Sequence, residues 1–145
     1  MSLRTTDVVA WYGLGSCVAV AIYQEGQYAG AMAHIVLPKK TSASLPPGDA
    51  YYADGAIPML VEALRSRGYV RLKAKMAGGA SVLPFHAPDG EVGARNVQAV
   101  KQYLNALGVE LTGEDVGGNL GRTVRFYASS GLMVVTTLSG YRRVI

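Results

Sequence analysis

Apolar residues occur in short runs separated by glycine, proline or polar breaks, a pattern that predicts many strands and few helices. Residues 8–12 and 18–23 are rich in β-branched and aromatic side chains. Residues 28–37 follow the polar turn Gln24-Glu25-Gly26-Gln27, so the chain is expected to open on three strands, the first two joined by a tight turn. Pro38 closes the third, and residues 39–48 form a Ser/Pro/Lys segment with little to bury, a candidate flap beside a site. Within residues 54–67, Ile57, Leu60, Val61 and Leu64 repeat at helical spacing, Pro58 confines the regular part and Gly68 supplies a stop. Val70, Leu72, Ala74 and Met76 then alternate with Arg71, Lys73 and Lys75, the period of a strand with one wet face, until Gly78-Gly79 breaks it. A second helix over about residues 92–107 places Val97, Val100, Leu104 and Leu107 on one stripe ahead of Gly108. Strands are expected at 109–112, 122–127 and 132–138, the last two a hairpin across Ser129-Ser130-Gly131. Two helices among so many strands predict an α/β sandwich of mostly antiparallel or mixed strands, without the regular alternation of a doubly wound sheet.

Length and composition narrow the class. With 145 residues, half of them apolar, the chain has material for one core, and residues 1–145 are expected to form a single domain. No charged side chain occurs from Val8 to Tyr23, which raises a signal peptide or membrane span. The stretch is shorter than the ~20 apolar residues a span needs, and Gly13, Gly15 and Ser16 interrupt it, so buried strands explain it better. Met1-Ser2-Leu3 are given no functional weight. The net charge of +4 comes from short basic groups such as Arg71, Lys73 and Lys75 or Arg142 and Arg143. Without interleaved aromatic residues these describe a solvated surface, not a nucleic-acid binder.

The candidate chemistry centres on one thiol. Cys17 is the only cysteine, which excludes an internal disulfide, removes the Cys-rich zinc patterns and fits a reducing cytoplasm. It stands in Gly13-Leu14-Gly15-Ser16-Cys17-Val18, a turn between strands where Gly15, Ser16 and Val18 can bring backbone N–H groups around a reacting carbonyl, as in a nucleophile elbow. Beside Val18, Ala19 and Val20 the same thiol also reads as a buried core residue. His34 follows by 34 − 17 = 17 positions. If the two strands pair as a hairpin, the imidazole could meet the thiol, lower its pKa and later protonate a leaving amine. A histidine that only fills a sheet is the alternative. His86, in Pro84-Phe85-His86-Ala87-Pro88, reads as an exposed loop residue, and two histidines are too few for a metal cage. Gly78-Gly79-Ala80 and Gly117-Gly118-Asn119-Leu120-Gly121 could cradle an anion, but neither is a P-loop and turn geometry explains both. Arg95 and Asn96 open the second helix, either to orient substrate or as a cap or structural hydrogen bond.

Several ordered blocks resemble the CheD family. These are Leu14-Gly15-Ser16-Cys17-Val18-Ala19-Val20, Gly30-Ala31-Met32-Ala33-His34-Ile35-Val36-Leu37-Pro38, Lys75-Met76-Ala77-Gly78-Gly79-Ala80, Val92-Gly93-Ala94-Arg95-Asn96-Val97 and Asp115-Val116-Gly117-Gly118-Asn119-Leu120-Gly121-Arg122. The resemblance covers about residues 8–135. It implies a cytoplasmic α/β sandwich that hydrolyses the side-chain amide of chemoreceptor glutamines to glutamate and ammonia without metal or cofactor. Cys17 would be the nucleophile and His34 the acid and base, and a CheC-type phosphatase would be a partner. One position departs from the pattern. The family commonly carries a threonine six residues before the nucleophile, helping to hold the histidine, whereas position 17 − 6 = 11 is Trp11. The alternative is therefore a catalytically weak or inactive CheD-like module that binds the phosphatase or a receptor.

Overall fold

The strand Val18–Gln24 carries no charge because both of its faces are covered. Val18, Val20 and Ile22 pack under helices, with Ala31, Ala33, Ile35, Ala74 and Met76 from neighbouring strands. Ala19, Ala21 and Tyr23 face the opposite way and meet Met32, Ala77, Leu14, Val124, Phe126, Met133 and Val135. The result is three layers, helices on a first sheet and that sheet on a second, the sandwich expected from the pattern.

The structure, a computed structural model, describes residues 2–4, 8–27, 29–40, 49–81 and 91–145. In chain order the elements are β1 (Ser2–Arg4), β2 (Val8–Leu14), β3 (Val18–Gln24), β4 (Ala29–Ile35), a 3₁₀ turn (Asp49–Tyr51), α1 (Ala53–Arg65), β5 (Lys73–Gly78), α2 (Val92–Ala106), β6 (Glu110–Val116), β7 (Arg122–Tyr127), β8 (Leu132–Thr137) and β9 (Arg142–Val144). The first sheet runs β1-β4-β3-β5-β6 and the second β2-β7-β8-β9. Among the named strands only β5 and β6 pair in parallel, as they must when α2 forms the crossover between them.

One expectation, the start of β5, is corrected, and the fold adds two points that the sequence reading left open. β2 and β3 are both strands, yet β2 pairs with β7 while β3 pairs with β4 and β5, so the turn between them passes from one sheet to the other. β5 starts at Lys73, because Val70 is solvent-exposed and outside the ladder. The N-terminal residues set aside above supply β1, which pairs with β4. Of the expected flap only Lys39 and Lys40 fall within the described residues, and His86 lies outside them. No described helix is long and apolar enough to cross a membrane.

The face of β5 that alternation marks as wet is the one packed between the sheets. Lys75 is only 9% exposed. Its Nζ donates to Gly131 O at 2.6 Å and to Ile145 O at 3.0 Å, and it lies 5.6 Å from the centroid of the Tyr23 ring. A buried ammonium persists only with such partners, and here it ties β5 to the β7–β8 turn. Lys75→Met keeps the apolar stem and removes both hydrogen bonds. We expect a loss of about 2 kcal/mol, in the range for hydrogen bonds to charged groups, seen as a lower urea midpoint with an unchanged slope.

Candidate active site

Three consecutive carbonyls of the Cys17 turn are held by groups from elsewhere in the chain. Gly15 O accepts from Ala80 N at 2.9 Å, Ser16 O from Asn96 Nδ2 at 3.0 Å and Cys17 O from Gly79 N at 2.9 Å. The Gly78-Gly79 turn can lie this close because it has no Cβ atoms. Gly78 sits at φ +120°, and a Cβ there would overlap Cys17 O. The second glycine turn braces the first, with Gly117 N donating to Gly78 O at 3.0 Å and Ser81 N to Gly118 O at 2.9 Å. Arg122 adds a bond from Nη1 to Gly78 O at 3.2 Å while its Nε pairs with Asp115 at 2.8 Å. The glycine motifs are thus turn geometry, the reading favoured from sequence.

His34 reaches the same place through strand register. In the β3–β4 pair Ala19 lies opposite His34 and Val18 opposite Ile35, so Cys17 falls opposite Val36. Cys17 and His34 are then diagonal neighbours on one face, roughly 7–8 Å apart along the backbone by ordinary sheet geometry. His34 and Gly15, Ser16 and Cys17 are half-buried, whereas Val18 is fully buried in β3. Within β4, His34 is the one residue not fully buried, which a histidine that only filled the sheet would not need. Trp11 reaches over from β2, its ring centroid 4.9 Å from that of His34 with the planes at 62°. Tyr12 points outward instead, beside Arg125.

Burial sets the charge state. It pushes the Cys17 thiol up from its ordinary value and the His34 imidazole down from its own, the reverse of the depressed thiol expected when an imidazole stands beside it. Desolvation prevails because neither group makes a hydrogen bond to a described residue that would favour its charged form. At neutral pH both shifts favour the uncharged forms, thiol and imidazole. Among the described residues, three buried side-chain nitrogen or oxygen atoms lack a hydrogen-bond partner: Trp11 Nε1, His34 Nε2 and Asn96 Oδ1. All three belong to residues around Cys17. Such groups are rare in native cores, and here they lie together at the candidate site. No group of three His, Cys, Asp or Glu among the described residues is placed to hold a metal.

The two helix-opening candidates separate. Arg95 is exposed and, among the described residues, makes a surface pair with Glu91 at 3.4 Å, an interaction of little consequence. Asn96 is fully buried and contacts the Cys17 turn. Its signal was present in the sequence, because Asn96 shares the buried stripe of α2 with Gly93, Val100 and Leu104, where a polar side chain requires partners.

The family model described as CheD chemotactic sensory transduction matches residues 36–137, beginning after both Cys17 and His34. Individual relatives match over more of the chain. The chain is 41% identical over 140 residues to the chemoreceptor glutamine deamidase CheD of Thermotoga maritima, covering 95% of this chain and 87% of that protein. It is 41% identical over 130 residues to a protein of Clostridium novyi named probable chemoreceptor glutamine deamidase CheD, covering 87% and 80% of the two chains. A protein of the same name from Clostridium botulinum is 39% identical over 139 residues, covering 93% and 86%.

Alkylation by iodoacetamide reads the thiolate directly. The rate at Cys17 should rise with pH to a midpoint above 9.0, its ordinary value, and at neutral pH should be slower than that of a free thiol. Trp11→Thr opens the seam and supplies a hydroxyl acceptor for the imidazole, so the midpoint should fall. A midpoint below neutrality in the native protein would contradict this account of the site.

Proposed function

The chain belongs to the CheD family, and on that premise we propose that it deamidates glutamine side chains of chemoreceptors, with Cys17 as nucleophile and His34 as acid and base. The supporting observation is the register that sets thiol and imidazole diagonally on one face at the mouth of a turn whose carbonyls are all tied back. We read the whole chain as one deamidase domain acting in the cytoplasm, where an unpaired thiol stays reduced.

Because the resting pair is neutral, His34 takes the thiol proton as Sγ attacks, not beforehand. The Sγ pair forms the bond to the carboxamide carbon and the C=O π pair moves onto oxygen. The oxyanion then collapses, the C–N bond breaks, and His34 returns its proton to the nitrogen, which leaves as ammonia. A water deprotonated by His34 attacks the thioester. Collapse of the second oxyanion expels the Cys17 sulfur, which regains the proton and leaves glutamate. Atoms balance with water as the sole co-reactant.

Trp11 favours a second reading. An indole donates but cannot accept, and His34 Nε2 has no partner among the described residues, so the imidazolium formed in each step lacks the acceptor a threonine would supply. On this reading the chain is a weak or inactive module that binds a receptor or a CheC-type phosphatase.

Incubation with a glutamine-containing cytoplasmic receptor fragment, followed by peptide mass spectrometry, separates the two. We expect Gln-to-Glu conversion that is abolished in Cys17→Ala and reduced about 100-fold or more in His34→Ala. The base must be neutral, and burial lowers the pKa of His34 below 6.5. The kcat/KM should therefore hold as pH falls through 6.5 and drop only below it. Receptor binding without conversion would select the second reading.

A further inference from the structure

The side chain of Asn96 does something the reaction scheme leaves unassigned. It lies in the second turn of α2 and is fully buried. Its amide nitrogen donates one hydrogen to Ser16 O at 3.0 Å and the other to Val36 O at 2.9 Å. Both acceptors are carbonyls, so nitrogen and oxygen of the amide cannot be exchanged. Ser16 precedes the nucleophile. Val36 lies opposite Cys17, two residues past His34. One NH₂ group therefore joins the thiol turn to the end of the histidine strand. Its Oδ1 is buried without a partner among the described residues.

Peptide planarity gives that bond a consequence. In a trans peptide the C=O and N–H point in opposite directions. Holding Ser16 O against Asn96 aims the Cys17 N–H away from α2. The peptide cannot swing, because the carbonyls on either side, Gly15 O and Cys17 O, are tied to Ala80 and Gly79. The Cys17 N–H itself donates to no described residue. α2 comes close enough because of Gly93, where a Cβ would overlap Gly79 O and lie 2.6 Å from Ala80 O.

We propose that Asn96 is a positioning residue that aims the Cys17 backbone N–H as the oxyanion donor, an inference that rests on Cys17 being the nucleophile. When Sγ adds to a carbonyl carbon and the π pair moves onto oxygen, the pre-aimed N–H donates to that oxygen without reorganising.

The test separates oxyanion formation from thiol reactivity in Asn96→Ala, with Asn96→Ser as the milder change. Displacement of iodide from iodoacetamide forms no oxyanion, so alkylation of Cys17 should stay within about twofold of the native rate across pH. Propionaldehyde labelled with ¹³C at its carbonyl instead gives a tetrahedral carbon whose oxygen stands where the oxyanion would: the thiol S–H adds across C=O, sulfur bonding carbon and the proton ending on oxygen, and that hydroxyl oxygen still accepts the Cys17 N–H. The thiohemiacetal equilibrium, read by NMR, should fall about threefold or more, the share of one neutral hydrogen bond. With the receptor fragment, kcat should fall about 100-fold with KM nearly unchanged. In ¹⁵N-labelled native protein the Cys17 amide proton should move downfield when the adduct forms, which needs no variant. An unmoved Cys17 amide, no adduct in the native protein, an unchanged adduct equilibrium, or parallel loss of alkylation and adduct would each overturn the proposal. The aldehyde result without receptor deamidation would instead overturn the proposed substrate and leave the role of Asn96 standing.

Discussion

The Cys17 turn exists in its observed shape because three successive carbonyls, those of Gly15, Ser16 and Cys17, are bonded to the β5 end and to α2. A turn between strands would ordinarily leave such groups to water. Here they are spent on internal partners, which fixes the opposite ends of the same peptides. The contact tolerates no Cβ at Gly78 or Gly93. The spacing of α2 from β5 is therefore set by backbone against backbone, and the packing of Val100 and Leu104 over Met76 follows from that spacing. Asp115 and Arg122 reinforce the arrangement from the second glycine turn.

Placing a thiol and an imidazole in the seam between two sheets has an electrostatic consequence. Surroundings supplied by Leu14, Met32 and Trp11 disfavour both charged forms. In the proposed reaction the proton transfer from thiol to imidazole is then coupled to attack on the carboxamide. A buried polar atom left unpaired costs stability, of order 1–3 kcal/mol, and three atoms without a partner among the described residues lie around this one thiol. The fold offsets that cost away from the site, where layers are filled with small and aliphatic side chains and Lys75 closes the far end of the seam.

Much of the fold was legible in the sequence. Periodicity located both helices to within a residue or two and most of the strands, while Cys17 and His34, each of which also reads locally as a core residue, were singled out by the resemblance to the CheD family. These features are local: apolar alternation, helical stripes and turn residues report the environment of each segment one residue at a time. The departure at Trp11 was also visible, since it needs only a count along the chain.

Tertiary structure decided what depends on partners distant in sequence. Composition marks residues 8–12 and 18–23 as strands but carries no information on which sheet each joins, and the passage between sheets is what presents Cys17 at a seam. Lys75 alternates like a residue on a wet face, yet its ammonium is buried because Gly131 and Ile145 bring carbonyls to it. Asn96 could be recognised as polar on an apolar stripe, but its acceptors lie 80 and 60 residues away in the chain. The charge state of the Cys17–His34 pair required the fold as well. Adjacency favours an ion pair and burial favours neutrality, and only the assembled seam, by excluding water, determines that burial prevails.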